Sequence, residues 1–95
     1  MKNLIKIIKD PEKVNGFLFI KIDISKNNFA DDSLCLLSND WFIEKGKSFT
    51  KVSNGDLRTM GCEIILFENK FEITLDRFSS YPIYYYQKKK IIIIT

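Results

Sequence analysis

The chain has 95 residues with a formal net charge of +3, and 45% of them are hydrophobic and 14% aromatic. That length suits one domain able to bury roughly two-thirds of its unfolded surface, while the apolar content excludes disorder and no apolar run approaches a membrane span. With no histidine there is no plausible zinc set, and with Arg58 and Arg77 the only arginines the lysine-borne charge disfavours specific nucleic-acid readout.

In chain order, Met1 to Asp10 interleaves lysines with apolar residues and offers no small-residue cleavage site. It does not read as a signal peptide, and a cytoplasmic protein is expected. Leu4 to Ile8 reads as a short strand closed by Asp10-Pro11 and the turn signal Asn15-Gly16. Phe17 to Ile24 reads as a strand with Leu18, Ile20, Ile22 and Ile24 on one face and Lys21 and Asp23 on the other. Ser25 to Ser33 is polar, a loop with room for one helical turn, and Leu34 to Leu37 is a weak strand. Trp41 to Glu44 and Ser48 to Val52 bracket Lys45-Gly46-Lys47 as a hairpin whose glycine takes the positive-φ position. Ser53 to Asp56 reads as another turn, and Leu57 to Gly61 as at most one helical turn. Cys62 to Glu68 and Phe71 to Asp76 form a hairpin, with Phe71, Ile73 and Leu75 facing one way and Glu72, Thr74 and Asp76 the other. Ile83 to Gln87 and Ile91 to Thr95 flank the charged link Lys88-Lys89-Lys90.

The pattern predicts a mainly β fold, or α+β with little helix: an antiparallel sheet of about eight short strands, flat or folded into two layers. Cys35 and Cys62 are read as buried free thiols, and no metal or cofactor is expected. Abundant Ile, Lys and Asn, drawn from AT-rich codons, suggest a low-GC bacterial source.

The stretch from Leu75 to Tyr86 is neither generic strand nor generic turn. Pro82 fixes its own φ and pushes Tyr81 out of the α region, so the chain turns before Ile83. Asp76, Arg77, Phe78, Pro82, Tyr84 and Tyr85 match a pattern reading Arg-Asp-Arg-Phe-Gly, two residues, then Pro-Leu-Tyr-Tyr. Ile83 replaces the leucine conservatively, Leu75 stands for the first arginine and Ser79 for the glycine. The stretch thereby resembles the tight turn late in the N-terminal domain of asparagine synthetase-type glutamine amidotransferases. Upstream, Leu57, Gly61, Phe67 and Glu68 resemble the family's Leu-x-Gly and its strand ending in Tyr-Asp, with Glu63 where an aromatic belongs. The resemblance covers roughly residues 57 to 95.

The resemblance implies a sandwich of antiparallel sheets that hydrolyses glutamine and passes ammonia to a following synthetase domain. The family's nucleophile is an N-terminal cysteine whose α-amine acts as base, and Lys2 occupies that place here. Cys35 and Cys62 are internal and lack the α-amine. The family's early arginine has no counterpart, and its Asn-Gly-Glu is loosely echoed by Asn54-Gly55-Asp56. The expectation is therefore a catalytically inactive domain of this type with a structural or partner-recognition role, either whole in itself or a fragment of a longer synthetase-like protein, and no catalytic residue. By resemblance alone, Asp76 is a ligand-binding residue for the substrate's α-ammonium. Read by its own chemistry, Asp76 is a turn residue with Arg77 its solvated partner, and Phe78, Pro82, Tyr84 and Tyr85 shape the turn. The alternative is a free-standing small β protein that binds a peptide, a protein or a polyanion. Tyr81, Tyr84, Tyr85 and Tyr86 beside the lysine run would make a stacking platform for single-stranded nucleic acid, but such tyrosines equally suit half-buried strand positions.

Ile91, Ile92, Ile93 and Ile94 form an uncharged β-branched run that pairs readily with an open edge. Hairpin pairing with Ile83 to Gln87 places it inside the sheet. As the outermost strand it would instead pair with a second copy or a partner chain.

Overall fold

Alternation at period two sets the strands, because each turns every other side chain to one face and only one face of each sheet is buried. The computed structural model describes residues 4–8, 16–77 and 83–95, the first range as backbone. Its elements are β1 (Leu4–Ile8), β2 (Leu18–Asp23), α1 (Phe29–Asp32), β3 (Leu34–Ser38), β4 (Phe42–Lys45), β5 (Thr50–Asp56), β6 (Met60–Leu66), β7 (Phe71–Leu75), β8 (Tyr85–Lys88) and β9 (Ile91–Ile94). The chain is mainly β. One sheet has the order β1-β3-β2-β9-β8 and the other is the meander β4-β5-β6-β7. Apart from the parallel pair β1 and β3, every described pairing is antiparallel, so beyond β1 the fold is two four-stranded antiparallel sheets. No helix among the described residues is long and apolar enough to cross a membrane.

Both sheets feed one core. Leu18, Ile20, Ile22, Cys35, Leu37, Ile92 and Ile94 come from the five-stranded sheet, and Val52, Cys62, Ile64 and Leu66 from the four-stranded one. Each fully buried isoleucine or leucine contributes roughly 1.5–3 kcal/mol by leaving water. Trp41 lies in this core, and Phe29 and Ala30 of α1 close one end. That helix is a single turn, capped by Asn28 through its side chain on the Asp31 N–H.

Several expectations need correction. Gly46 is not in the left-handed region, where the described glycines are Gly16 and Gly55. A Cβ at Gly46 would lie 2.1 Å from the Phe49 ring, so close packing explains that glycine. Ser53 to Asp56 is no turn: β5 runs on to Asp56, Gly55 pairs with Gly61 inside the ladder, and the chain reverses over Leu57 to Thr59. Asp76 does not face outward with Glu72 and Thr74 but is 4% exposed. Strand β8 begins at Tyr85 and takes in Lys88, leaving Lys89 and Lys90 as the link. The run Ile91–Ile94 does enter the sheet by a hairpin with β8, and β2 pairs with its other side. Partner pairing through the edge of Ile91, Ile92, Ile93 and Ile94 is therefore closed, because both edges of β9 are occupied within the chain.

Candidate functional site

Of the residues singled out by the resemblance, Gly61 and Asp76 meet the core where β6 begins and β7 ends. Cys62 pairs with Leu75, and one step further the Asp76 N–H donates to the Gly61 carbonyl at 3.1 Å. The return bond comes from a side chain: the Gly61 N–H donates to Asp76 Oδ2 at 2.8 Å. A carboxylate thus replaces the peptide carbonyl that would continue the ladder, which lets the backbone leave the sheet. Gly61 is required on its other side, by β5, since a Cβ there would sit 2.6 Å from the Asn54 carbonyl oxygen and from the Asp56 nitrogen.

Sequence reasoning missed a second carboxylate nearby. Asp40 Oδ2 accepts from Asn54 Nδ2 at 3.2 Å, while Oδ1 accepts from the Gly16 N–H at 3.2 Å and from the Ser38 hydroxyl. Burial pushes the Asp40 carboxyl up, but these hydrogen bonds outweigh it and hold its pKa below the usual range. Asp40 thereby ties the turn before β2 and the end of β3 to β5, joining the two sheets at this end. The inward series Thr50, Val52, Asn54 was the available signal, since a buried asparagine on an apolar face needs a partner.

Asp76, Gly61, Asn54 and Asp40 make a polar seam in which carboxylates accept from donors of the chain itself. Neither cysteine is a poised nucleophile. Burial pushes the Cys35 thiol up to about 12, against a small opposing effect of the Lys45 charge. Burial and the neighbouring Asp76 charge push Cys62 up to about 11. A nucleophilic thiol requires the opposite shift. Among the described residues, no three Cys, Asp or Glu side chains group so as to hold a metal.

The other candidates are dispersed. Arg77 is exposed, and Phe78 and Pro82 lie outside the described residues, as do Tyr81 and the path of the turn. Tyr84 and Tyr85 belong to the β8–β9 ladder: the Tyr84 N–H and carbonyl exchange hydrogen bonds with Thr95 at 2.8 and 2.9 Å. Tyr85 meets Phe71 edge to face at 6.0 Å between centroids, linking the last strands of the two sheets. Tyr84, Tyr85 and Tyr86 all stay largely exposed. A depression of about 470 Å³ has a floor that includes Ile24, Phe29, Phe71 and Ile92 with Lys26 and Lys70 beside it, and Cys35, Cys62 and Asp76 do not line it. Comparison with protein-family models, with curated proteins and with solved structures gives no match for this chain.

Proposed function

We propose that this chain is a catalytically silent domain of the asparagine synthetase N-terminal type, working in the cytoplasm as a support and as a surface for recognising another protein chain. The observation that carries the reading is the burial, among the described residues, of the two thiols and of Asp76, the groups that the resemblance would turn toward glutamine. Cys35 and Cys62 are each 1% exposed, and the 4%-exposed Asp76 spends a carboxylate oxygen on the Gly61 N–H. A substrate ammonium at Asp76 would have to displace that bond from inside the core.

The test is ammonia release from glutamine by the 95-residue chain, run beside Cys35→Ala and Cys62→Ala. The expected result is release no faster than in protein-free buffer for all three. Turnover that either substitution abolishes would overturn the reading, and so would a glutamine-dependent rise in Tm that disappears in Asp76→Ala.

A further inference from the structure

The outer faces of the two sheets differ in chemistry. Residues turned away from the core on the four-stranded sheet include Glu44, Lys51, Ser53, Glu63, Glu72 and Thr74. Lys51 pairs there with Glu44 at 3.2 Å and with Glu63 at 3.7 Å. Phe42 and Ile65 are the apolar exceptions on an otherwise solvated face. On the five-stranded sheet, burial of Leu18, Ile20, Ile22, Cys35, Leu37, Ile92 and Ile94 leaves Phe19, Leu34, Leu36, Ile91 and Ile93 outside, each partly exposed. An antiparallel sheet with one side in water alternates apolar-in and polar-out, but β3 and β9 are apolar on both sides, while β2 and β8 add Lys21, Asp23 and Lys88 to the outer face.

Two ladder rows cross this face. One runs Tyr86, Ile93, Lys21, Leu34, and the next runs Lys88, Ile91, Asp23. Among the described residues no carboxylate forms an ion pair with Lys21. Asp23 takes the Ser25 N–H and hydroxyl through Oδ1, which leaves Oδ2 as an acceptor.

The two rows are complementary to each other. Consider a two-fold axis between stacked sheets, perpendicular to the strands and midway between the rows. It lays each row on the other row of a second copy: Lys21 over Asp23, Ile93 over Ile91, and Tyr86 over Lys88, each contact made twice. Leu34 of one copy then falls toward the depression of about 210 Å³ that Lys21, Asp23, Asp32 and Leu34 line on the other. Rows ~6.8 Å apart and sheets ~10 Å apart are distances a lysine side chain spans. An axis running along β2 would instead stack Lys21 on Lys21.

We propose that the chain pairs with a second copy of itself through the outer face of its five-stranded sheet, with Lys21 of each copy on Asp23 of the other. The identity of this partner rests on the recognition role proposed above. Four strands at ~4.8 Å and about five residues at ~3.4 Å make a face of about 19 by 17 Å. That is well below the ~800 Å² per partner of a standard interface, so the dimer is concentration-dependent.

The test is light scattering and sedimentation of the whole chain from millimolar to micromolar concentration, for the natural sequence, Lys21→Asp, Asp23→Lys and the double exchange. The natural chain is expected to dimerise reversibly. Each single change should weaken association about tenfold or more, and the double exchange should restore it to within about threefold. Lys21 is exposed, so Lys21→Asp leaves the circular dichroism spectrum unchanged and stands alone if Asp23→Lys disturbs the Ser25 turn. A strict monomer at millimolar concentration would overturn the proposal. So would a dimer indifferent to Lys21→Asp, or two weakening single changes that the double exchange fails to rescue while its circular dichroism spectrum matches that of the natural chain. A monomer would leave the glutamine result untouched, so the two readings fail separately.

Discussion

Asp76 accepts an N–H where a strand would present a carbonyl, and this makes it a structural acid even though its sequence neighbours resemble an amidotransferase turn. Its carboxylate lies 2.8 Å from the Gly61 nitrogen inside the core. Removing it in Asp76→Ala leaves a buried N–H without that acceptor, at a cost of about 1–3 kcal/mol. Asp76→Asn keeps an oxygen there and should cost roughly half as much. Urea unfolding with and without glutamine checks this: the expected losses are the same in both, and a loss seen only with glutamine would return Asp76 to ligand binding. That an aspartate ends this strand was legible, because aspartate before a proline-containing turn signals a reversal. Its burial was not, since alternation groups Asp76 with Glu72 and Thr74, and alternation stops where the strand does. Asp40 was less legible still: Gly16 and Asn54 are 24 and 14 residues away in sequence, and only the folded chain brings them together.

Strands built from local pairings were the legible elements, because a hairpin needs only alternation and a turn close by. The β6–β7 and β8–β9 hairpins follow from such patterns, whereas β2 pairs with β9, with Asp23 opposite Ile91, across most of the chain's length. No local signal encodes that pairing, and loop-closure entropy says only that it is costly. Glycines misled in an instructive way. Gly55 has φ +76 yet stays in the ladder opposite Gly61, while Gly46 in the turn needs no positive φ. Alanine should separate the two kinds of requirement. At Gly55 the new Cβ would lie 2.0 Å from the Met60 carbonyl oxygen, with a backbone angle that L residues rarely adopt. At Gly46 the obstacle is the Phe49 ring, a side chain that can turn. Gly55→Ala should therefore cost roughly 2–4 kcal/mol and Gly46→Ala about 1 kcal/mol or less. Equal urea midpoints for the two variants would show that the ladder at Gly55 yields as easily as a side chain.

At the scale of the whole molecule, the two thiols report on the core that joins the sheets, because Cys35 lies in one sheet and Cys62 in the other, both among its most buried side chains. Reaching either one requires the sheets to part, so labelling by a thiol reagent at neutral pH should proceed at the rate set by global unfolding, with both cysteines modified together. Their pKa shifts fix the alkaline behaviour. Burial, opposed weakly by Lys45, raises Cys35 from 9.0 to about 12, and burial with the Asp76 charge raises Cys62 from 9.0 to about 11. Well below pH 9 both thiols are protonated whether the chain is folded or unfolded, and they cost nothing. Above it the unfolded chain releases protons that the folded chain keeps, so the stability present below the unfolded pKa is lost as pH rises toward the folded values. At ~1.4 kcal/mol per tenfold in proton affinity, the loss for Cys35 is on the order of 4 kcal/mol at its limit. Unfolding midpoints taken from pH 8 to 10.5 should fall for the natural chain and fall less for Cys35→Ala, whose cavity lowers stability by an amount independent of pH. Identical slopes in the two proteins would mean that folding does not raise the Cys35 proton affinity, and one cysteine labelled rapidly while the fold is intact would mean that the sheets open at one end and that the core does not unfold as a single unit.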